Sequence, residues 1–209
     1  MKTFFNRLLC LLFVSIFFLN GCKPTSSAPA AATSSSYPAA KYYGNRWNNE
    51  YVRMTSDQRP SGTYTLNLRP PGTNAFVMPV CKKVISEFGM RNGRKHEGID
   101  ITLKHEEPVY CAFDGMVRVA MDHRSFGKYV VVRHENGLET LYSHLNSIAV
   151  KQNQRIRAGT KIGGGGKTGN ATTEHLHFEI RFMGEPINPR LIIDFEKCKL
   201  QSNTVTLKF

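Results

Sequence analysis

The sequence contains no apolar run long enough to cross a bilayer as a helix. The apolar stretch from Leu8 to Leu19 is twelve residues, whereas a membrane-spanning helix needs roughly twenty. A short apolar stretch that follows Lys2 and Arg7 is instead typical of an export signal. We therefore expect residues 1–21 to be a signal peptide.

This signal ends at Cys22, in the sequence Leu-Asn-Gly-Cys. The sequence resembles the bacterial lipobox, in which signal peptidase cuts before a cysteine that carries lipid. Lipid on Cys22 would anchor the protein without a spanning helix, because each buried methylene contributes roughly 0.8 kcal/mol. The alternative is an ordinary cleaved signal peptide with an incidental cysteine. The expected location is the bacterial cell envelope, lipid-anchored to a membrane and facing the periplasm if the cell is Gram-negative.

Acidic residues are few, with 16 Asp and Glu against 28 Lys and Arg and a formal net charge of +12. Export argues against nucleic acid as the partner, and the scattered basic residues lack the interleaved aromatic platform that single strands prefer. An anionic envelope polymer or a membrane surface is the better expectation.

The sequence has no Cys-x-x-Cys pair, which argues against a thiolate metal site. Once the signal and the lipidated cysteine are set aside, Cys81, Cys111 and Cys198 remain. They allow at most one internal disulfide and a free thiol. Cys111 lies in an apolar run and is expected to be a small buried hydrophobe. A bridge between Cys81 and Cys198 would join the two ends of the domain, but the sequence leaves the pairing open.

Helical periodicity is missing too, because no apolar period of 3.6 residues lasts more than a turn or two. Alternating segments recur instead, and Asn136-Gly137 between two of them is a strong hairpin cue. We predict a mainly β domain, an antiparallel sheet or sandwich, over residues 76–195. A glycine run at 163–166 does not fit a phosphate-binding loop, which needs glycine where Lys161 stands. The glycines are interpreted as letting a loop bend tightly and letting backbone or substrate approach closely.

The segments that flank this domain are not expected to form a second independent domain. Residues 22–40 are rich in Pro, Ser, Thr and Ala and predict a flexible tether after the lipidated cysteine. Residues 41–75 predict an ordered N-terminal arm with a strand at 63–68, and the sequence leaves open whether it covers a functional groove. Residues 196–209 are a C-terminal tail. The arm's aromatic residues, interpreted as packing anchors, are Tyr42, Tyr43, Trp47 and Tyr51.

Histidines recur at spacings that suit a metal. His175 and His177 lie two positions apart on a predicted strand, so they project to one face, about 6.6 Å apart along the backbone. His96 and Asp100 flank Gly98, which lets the loop fold so that imidazole and carboxylate converge. His144 ends another predicted strand. Taken singly, each group has an ordinary alternative: a solvated histidine pair, a surface ion pair or a structural histidine.

As an ordered set over residues 76–195, these motifs resemble the lysostaphin/LytM-type zinc endopeptidases. The resemblance implies an antiparallel β fold with a zinc site in a groove bounded by loops. It does not cover the signal, the tether or the arm. The motifs are Phe-Gly-Met-Arg at 88–91, His-x-x-x-Asp at 96–100, Asp-Gly at 114–115, Tyr-Ser-His-Leu at 142–145, Gly-Lys-Thr-Gly at 166–169, His-Leu-His-Phe-Glu at 175–179 and Pro-Ile-Asn-Pro at 186–189.

The resemblance implies that His96, Asp100 and His177 bind zinc and that His144 and His175 act in catalysis. The chemistry of these groups agrees, because two neutral imidazoles and a carboxylate leave a fourth tetrahedral position for a water whose pKa zinc lowers toward about 7. No further cofactor is expected. The sequence does not say which histidine removes a proton and which stabilises the oxyanion.

The expected function is therefore zinc-dependent hydrolysis of peptide cross-links in bacterial peptidoglycan, in cell-wall remodelling. One alternative is a LytM-like module that has lost catalysis and activates a separate amidase. Another is an envelope lipoprotein that buffers metal. The cross-link type, activating partners and oligomeric state are not predicted.

Two features depart from the family pattern or lie outside it. Residues 170–174, Asn-Ala-Thr-Thr-Glu, replace the usual small residues of the groove wall and put the substrate preference in question. His105, His123 and His134 match no catalytic position and are interpreted as solvated or structural.

Overall fold

The computed structural model describes residues 40–43, 59–91 and 93–209. The predicted signal peptide, Cys22 and all of the tether before residue 40 lie outside these residues, as do Trp47 and Tyr51. Within the described part of the chain, no helix combines the length and the apolar character needed to pass through a bilayer.

The regular secondary structure of the described residues is almost wholly antiparallel strand, which confirms the predicted mainly β class. Helical structure among them consists of α1 (Ala40–Tyr43) and a 3₁₀ turn at Pro189–Leu191. The strands are β1 (Thr63–Asn67), β2 (Val84–Ser86), β3 (Gly89–Arg91), β4 (Arg94–His96), β5 (Ile99–Thr102), β6 (Pro108–Tyr110), β7 (Gly115–His123), β8 (Gly127–His134), β9 (Leu138–Leu145), β10 (Ser147–Ile148), β11 (Arg155–Ile156), β12 (Lys161–Gly164), β13 (His175–Phe182), β14 (Glu185–Ile187), β15 (Ile193–Asp194), β16 (Lys199–Leu200) and β17 (Thr204–Lys208).

The main sheet has the strand order β11-β7-β8-β9-β13-β5-β2, with β14 paired to β13. The predicted hairpin is its β8–β9 connection, where Gly137 adopts φ +90°. The Asn136 side chain closes this turn by accepting a hydrogen bond from the Leu138 amide at 3.0 Å. Gly137 suits the turn because a side chain is strained at positive φ.

The two faces of β13 separate the core from the polar residues. Leu176, Phe178 and Ile180 are fully buried in the hydrophobic core. The alternate residues His175 and His177 point to the opposite face, as the period of two predicts. A slip of one residue in the pairing would exchange these two sets, so burial of the apolar face fixes the register.

The glycine run forms part of a second sheet with the order β10-β12-β6. A Cβ on Gly163 would lie 2.3 Å from the Ser147 carbonyl oxygen, and one on Gly165 would lie 2.0 Å from the Leu103 side chain. The approach of Gly163 to a backbone carbonyl is open to glycine alone and agrees with the expected close backbone approach. The expected tight bend is not found at Gly163 and Gly164, because they lie in strand β12.

The described parts of residues 41–75 pack on the main sheet and on the C-terminal segment. The predicted strand at 63–68 is β1, and it pairs along its length with β17 in the segment assigned to the tail. Tyr43 donates a hydrogen bond to the Gly137 carbonyl at 2.9 Å, and the Arg133 guanidinium lies 4.0 Å from its ring centroid. Tyr42 packs edge-on against Phe182. Both tyrosines therefore act as packing anchors.

Cys81 and Cys198 form the disulfide that the sequence left open, with Cα atoms 5.6 Å apart and a sequence separation of 117. Cys111 is free and fully buried, as expected. Burial raises the pKa of its thiol to about 12, so the thiol is protonated at neutral pH. The bridge fastens the start of the β domain to its C-terminal segment.

We predict that replacing Cys81 and Cys198 together by serine lowers the free energy of unfolding by about 2–5 kcal/mol, because the bridge restricts a long loop in the unfolded chain. Urea unfolding without reductant measures the loss. Cys111→Ala, which keeps the bridge, is the control and should cost on the order of 1 kcal/mol. Equal losses in the two variants would contradict a stabilising role for the disulfide.

Candidate active site

Three side chains from separate strands converge on one point. His96 ends β4, Asp100 lies in β5 and His177 lies in β13. His96 Nε2 is 3.1 Å from Asp100 Oδ1 and 3.1 Å from His177 Nδ1, and His177 Nδ1 is 2.9 Å from Asp100 Oδ1. All three residues are buried.

Strand pairing and one glycine bring these residues together. β5 and β13 are antiparallel neighbours, and their register sets His177 directly opposite Asp100. Between His96 and Asp100 the chain passes so close to β13 that a Cβ on Gly98 would lie 2.5 Å from the Phe178 carbonyl oxygen. Glycine at this position therefore permits the loop to bring both ligands to the strand, in agreement with the sequence interpretation.

Hydrogen bonds on the far side of each ring fix which nitrogen faces the centre. His96 Nδ1 donates to the Glu87 carbonyl at 2.7 Å, so its Nε2 carries the lone pair. His177 Nε2 donates to Glu179 Oε1 at 3.0 Å, so its Nδ1 can carry the lone pair. A backbone carbonyl and a carboxylate are the usual partners of metal-binding histidines.

This arrangement attracts positive charge. Burial disfavours the Asp100 carboxylate, but its contacts with the His177 and His96 rings outweigh the cost of burial and hold the pKa of Asp100 well below its usual range. Burial likewise opposes the charged form of His177, yet its bonds to Asp100 and Glu179 raise its pKa to about 9. A proton on His177 relieves the repulsion between two of the converging atoms, whereas a metal cation relieves it among all three.

The donor set fits zinc. Zinc prefers imidazole nitrogen and carboxylate oxygen at 2.0–2.2 Å in a tetrahedron, which places neighbouring ligand atoms about 3.3 Å apart. The observed separations of 2.9–3.1 Å are close to this value. Among the described residues, this trio is the group of histidine, cysteine and acidic side chains that could hold a metal. Three ligands leave one position open for water or substrate.

The two predicted catalytic histidines lie beside this centre. His144 Nδ1 donates to the Thr168 carbonyl at 2.8 Å, and His175 Nδ1 donates to the Thr173 carbonyl at 2.9 Å, so each ring keeps a lone pair on Nε2. Their ring centroids are 4.8 Å apart, and His175 Nε2 is 3.8 Å from Asp100 Oδ1.

His144 is held in an unusual state. It has φ +62°, a left-handed conformation that non-glycine residues rarely adopt, and its amide donates to the Phe126 carbonyl at 2.9 Å. Burial, aided by the nearby His175 ring, lowers the pKa of His144 to about 4. The imidazole is therefore neutral at pH 7 and can accept a proton on Nε2.

All five residues line one groove of about 450 Å³. Its walls include Phe126, Ile85 and residues 170–173, which belong to the segment 170–174 that the resemblance placed at the groove wall. Among the described residues, the segment 41–75 contributes none of the groove lining. Residues 44–58, on which the covering hypothesis also depends, lie outside the described part of the chain.

The remaining histidines lie away from the centre, as expected for solvated or structural side chains. His105 is exposed and lies 3.2 Å from Glu174, and His123 is exposed beside Ser125. His134 is fully buried, where its Nε2 bonds Thr140 Oγ1 at 2.6 Å. Burial lowers the pKa of His134 to about 4.

Residue-by-residue sequence reasoning missed the groups that support the ligands. Glu179 is buried, bonds His177 and is paired with the buried Arg181, which reaches Glu97 at 3.0 Å. The signal was present in the alternation of β13, because residues 175, 177, 179 and 181 share one face. No sequence pattern marks the Glu87 carbonyl, because a backbone atom can belong to any residue.

The geometry agrees with comparisons to known proteins. Residues 94–189 match the family described as peptidase family M23. Over 116 residues the chain is 38% identical to the DD-carboxypeptidase/endopeptidase Mpg of Neisseria meningitidis serogroup B, covering 53% of this chain and 27% of Mpg. Over 187 residues it is 27% identical to the murein hydrolase activator NlpD of Salmonella dublin, covering 81% of this chain and 49% of NlpD.

A solved structure supports the same assignment. A zinc-containing peptidase from Vibrio cholerae is 33% identical, with a TM-score of 0.52 over 61% of this chain and 41% of that one. Residues 94–189 therefore resemble a peptidase family M23 domain, in agreement with the motif resemblance. It spans about a quarter of the length of Mpg and about half that of NlpD.

We predict that Glu179→Gln lowers the affinity for zinc by roughly 10- to 100-fold, because the His177 ring loses its charged hydrogen-bond partner. Competition with a chromophoric chelator measures the affinity. Circular dichroism of the variant should match the wild type, which separates this effect from unfolding. Glu185→Gln, on the neighbouring strand β14, is the control and should bind zinc normally. An unchanged affinity in Glu179→Gln would refute the supporting role.

Proposed function

We propose that this protein is a zinc-dependent endopeptidase that hydrolyses peptide cross-links of bacterial peptidoglycan during cell-wall remodelling. The observation that carries the proposal is the complete set of His96, Asp100 and His177 beside His144 and His175 in one groove. The likeness to Mpg, whose name describes a DD-carboxypeptidase and endopeptidase, supports the substrate class.

In this proposal His96, Asp100 and His177 hold zinc, which when bound would lower the pKa of water toward about 7 and polarise the scissile carbonyl. His144 and His175 supply the proton chemistry from Nε2, because each Nδ1–H is already used by a backbone carbonyl. One Nε2 can take a proton from the attacking water. The other, once protonated, can donate to the developing oxyanion or the leaving amine.

Further support comes from the rigidity of these groups. Each catalytic ring is tied to a carbonyl at 2.8–2.9 Å, and each zinc-binding ring is tied at 2.7–3.0 Å. Holding reacting groups in place before substrate arrives lowers the entropy cost of the chemical step. A groove on the surface, lined by strand residues and by the segments at 125–126 and 170–173, suits a polymer substrate better than a small enclosed metabolite.

A second candidate is a non-catalytic role as activator of a separate cell-wall amidase. The match to the activator NlpD, which extends over 81% of this chain, is the observation that favours it. Modules that act only by binding have no need for a full set of metal and proton-transfer residues. The intact set therefore favours the enzyme.

Digestion of purified sacculi, with the released muropeptides identified by mass, tests the two roles. We expect the wild-type protein to cleave cross-links and a chelator to stop it. His144→Ala and His175→Ala should each bind about one zinc yet act roughly 10²- to 10⁴-fold more slowly, and Asp100→Ala should lose both properties. His105→Ala, an exposed histidine outside the groove, is the control. Cleavage absent from the wild type, together with amidase stimulation that survives loss of His144 and His175, would establish the activator role instead.

We also propose that the protein is exported and held in the cell envelope by lipid on Cys22. Support comes from the sequence alone, in the short apolar stretch and the lipobox-like residues that precede Cys22. Metabolic labelling with a fatty-acid analogue in a bacterial host should mark the wild type, while Cys22→Ala should be unlabelled and released from membranes. Equal labelling of both proteins would reject lipidation at this cysteine.

A further inference from the structure

The groove contains one cationic side chain that the proposed chemistry does not use. Among the described residues that line it, Arg91 is the single Lys or Arg and Asp100 is the single acid. The negative charge of Asp100 is already balanced by its contacts with His96 and His177 and, in the proposed function, by the zinc ion. Arg91 therefore leaves the groove with a positive charge facing its substrate.

The β3–β4 hairpin determines where Arg91 lies. In this hairpin Arg91 pairs with Arg94 and Gly89 pairs with His96. Because alternate residues of a strand share a face, Arg91 lies on the same face as His96, while Lys95 lies on the other. Arg91 consequently borders the metal centre from the strand next to a zinc-binding residue.

The contacts of Arg91 leave most of its guanidinium available. Its Nη1 donates to Ser86 Oγ at 2.7 Å and reaches Asp100 Oδ2 at a long 3.4 Å. Among the described residues, no partner contacts its Nε or Nη2, and the side chain is 56% exposed. An exposed ion pair of this length contributes little to stability, so holding Asp100 in place does not account for Arg91.

Resting on the proposed function, we propose that Arg91 is a specificity-determining residue that binds a free carboxylate of the substrate peptide beside the scissile bond. The guanidinium is a planar fork that matches a carboxylate with two parallel hydrogen bonds. An extended peptide advances about 3.5 Å per residue. Since Arg91 lies within 3.4 Å of Asp100, the carboxylate belongs to a residue one or two positions from the bond that is cut.

This placement also accounts for the other groove walls. Ile85, which is 47% exposed, and Phe126 both line the groove. Their apolar surfaces can receive the aliphatic parts of the peptide, while Arg91 selects for its charge. The peptide class that fits is a cross-linked stem peptide with unmodified carboxyl groups, in preference to the same peptide with carboxamides.

The test uses two synthetic cross-linked stem peptides that differ only in whether the carboxyl groups flanking the scissile bond are free or amidated. We expect the wild-type protein to favour the free acid in kcat/KM by roughly 10- to 100-fold, the usual range for a charge-assisted pair. In Arg91→Gln this ratio should fall to near one, and Arg91→Lys should retain part of it. Lys95→Gln removes the same charge from the other face of the hairpin and should keep the wild-type ratio.

A purely structural role for Arg91 gives a different result. If Arg91 only positioned Asp100, Arg91→Gln would slow both peptides equally and weaken zinc binding, and this outcome overturns the proposal. Absence of any preference in the wild type also overturns it. Binding of both peptides to the His144→Ala protein is measured alongside by calorimetry. If the peptides bind with a preference for the free acid but the wild-type protein cleaves neither, the proposed function is refuted and carboxylate recognition by Arg91 is retained.

Discussion

The pairing of β13 with β5 sets His177 opposite Asp100, and every property of the site depends on this register. The register is not chosen by the polar residues, because taking a carboxylate and two imidazoles out of water is costly. It is chosen by Leu176, Phe178 and Ile180, which fill the core from the other face of the same strand. Hydrophobic burial therefore provides the free energy that holds the ligand atoms about 3 Å apart.

Buried charges extend from this point along the polar face of the sheet. Glu179 bonds His177 and pairs with Arg181, which in turn reaches Glu97 beside His96, the other histidine of the candidate metal site. Removing such charges from water is costly, and replacing them with apolar groups often stabilises a protein. Their presence next to the metal ligands is better explained by the fixed orientation that they give to the His177 ring than by stability.

The reacting residues and the residues that we propose to recognise substrate occupy different parts of the groove. In the proposed function, zinc binding and proton transfer use β5, β9 and β13 of the main sheet, together with His96 at the end of β4. Substrate recognition, as we propose it, uses Arg91 of β3 and the segment at 170–173, none of which supplies a proposed zinc ligand. In this proposal, the residues that select the peptide are different from those that carry out the reaction.

The sequence by itself determined the mainly β class, the β8–β9 hairpin and the five groove residues, because strand alternation and motif spacing are local properties. Three features were decided only by the tertiary structure: the pairing of Cys81 with Cys198, the Glu87 carbonyl that orients His96, and the exposure of Arg91 beside the metal centre. Each depends on which distant segments meet in space. That outcome follows from the packing of the whole core, which no local pattern encodes.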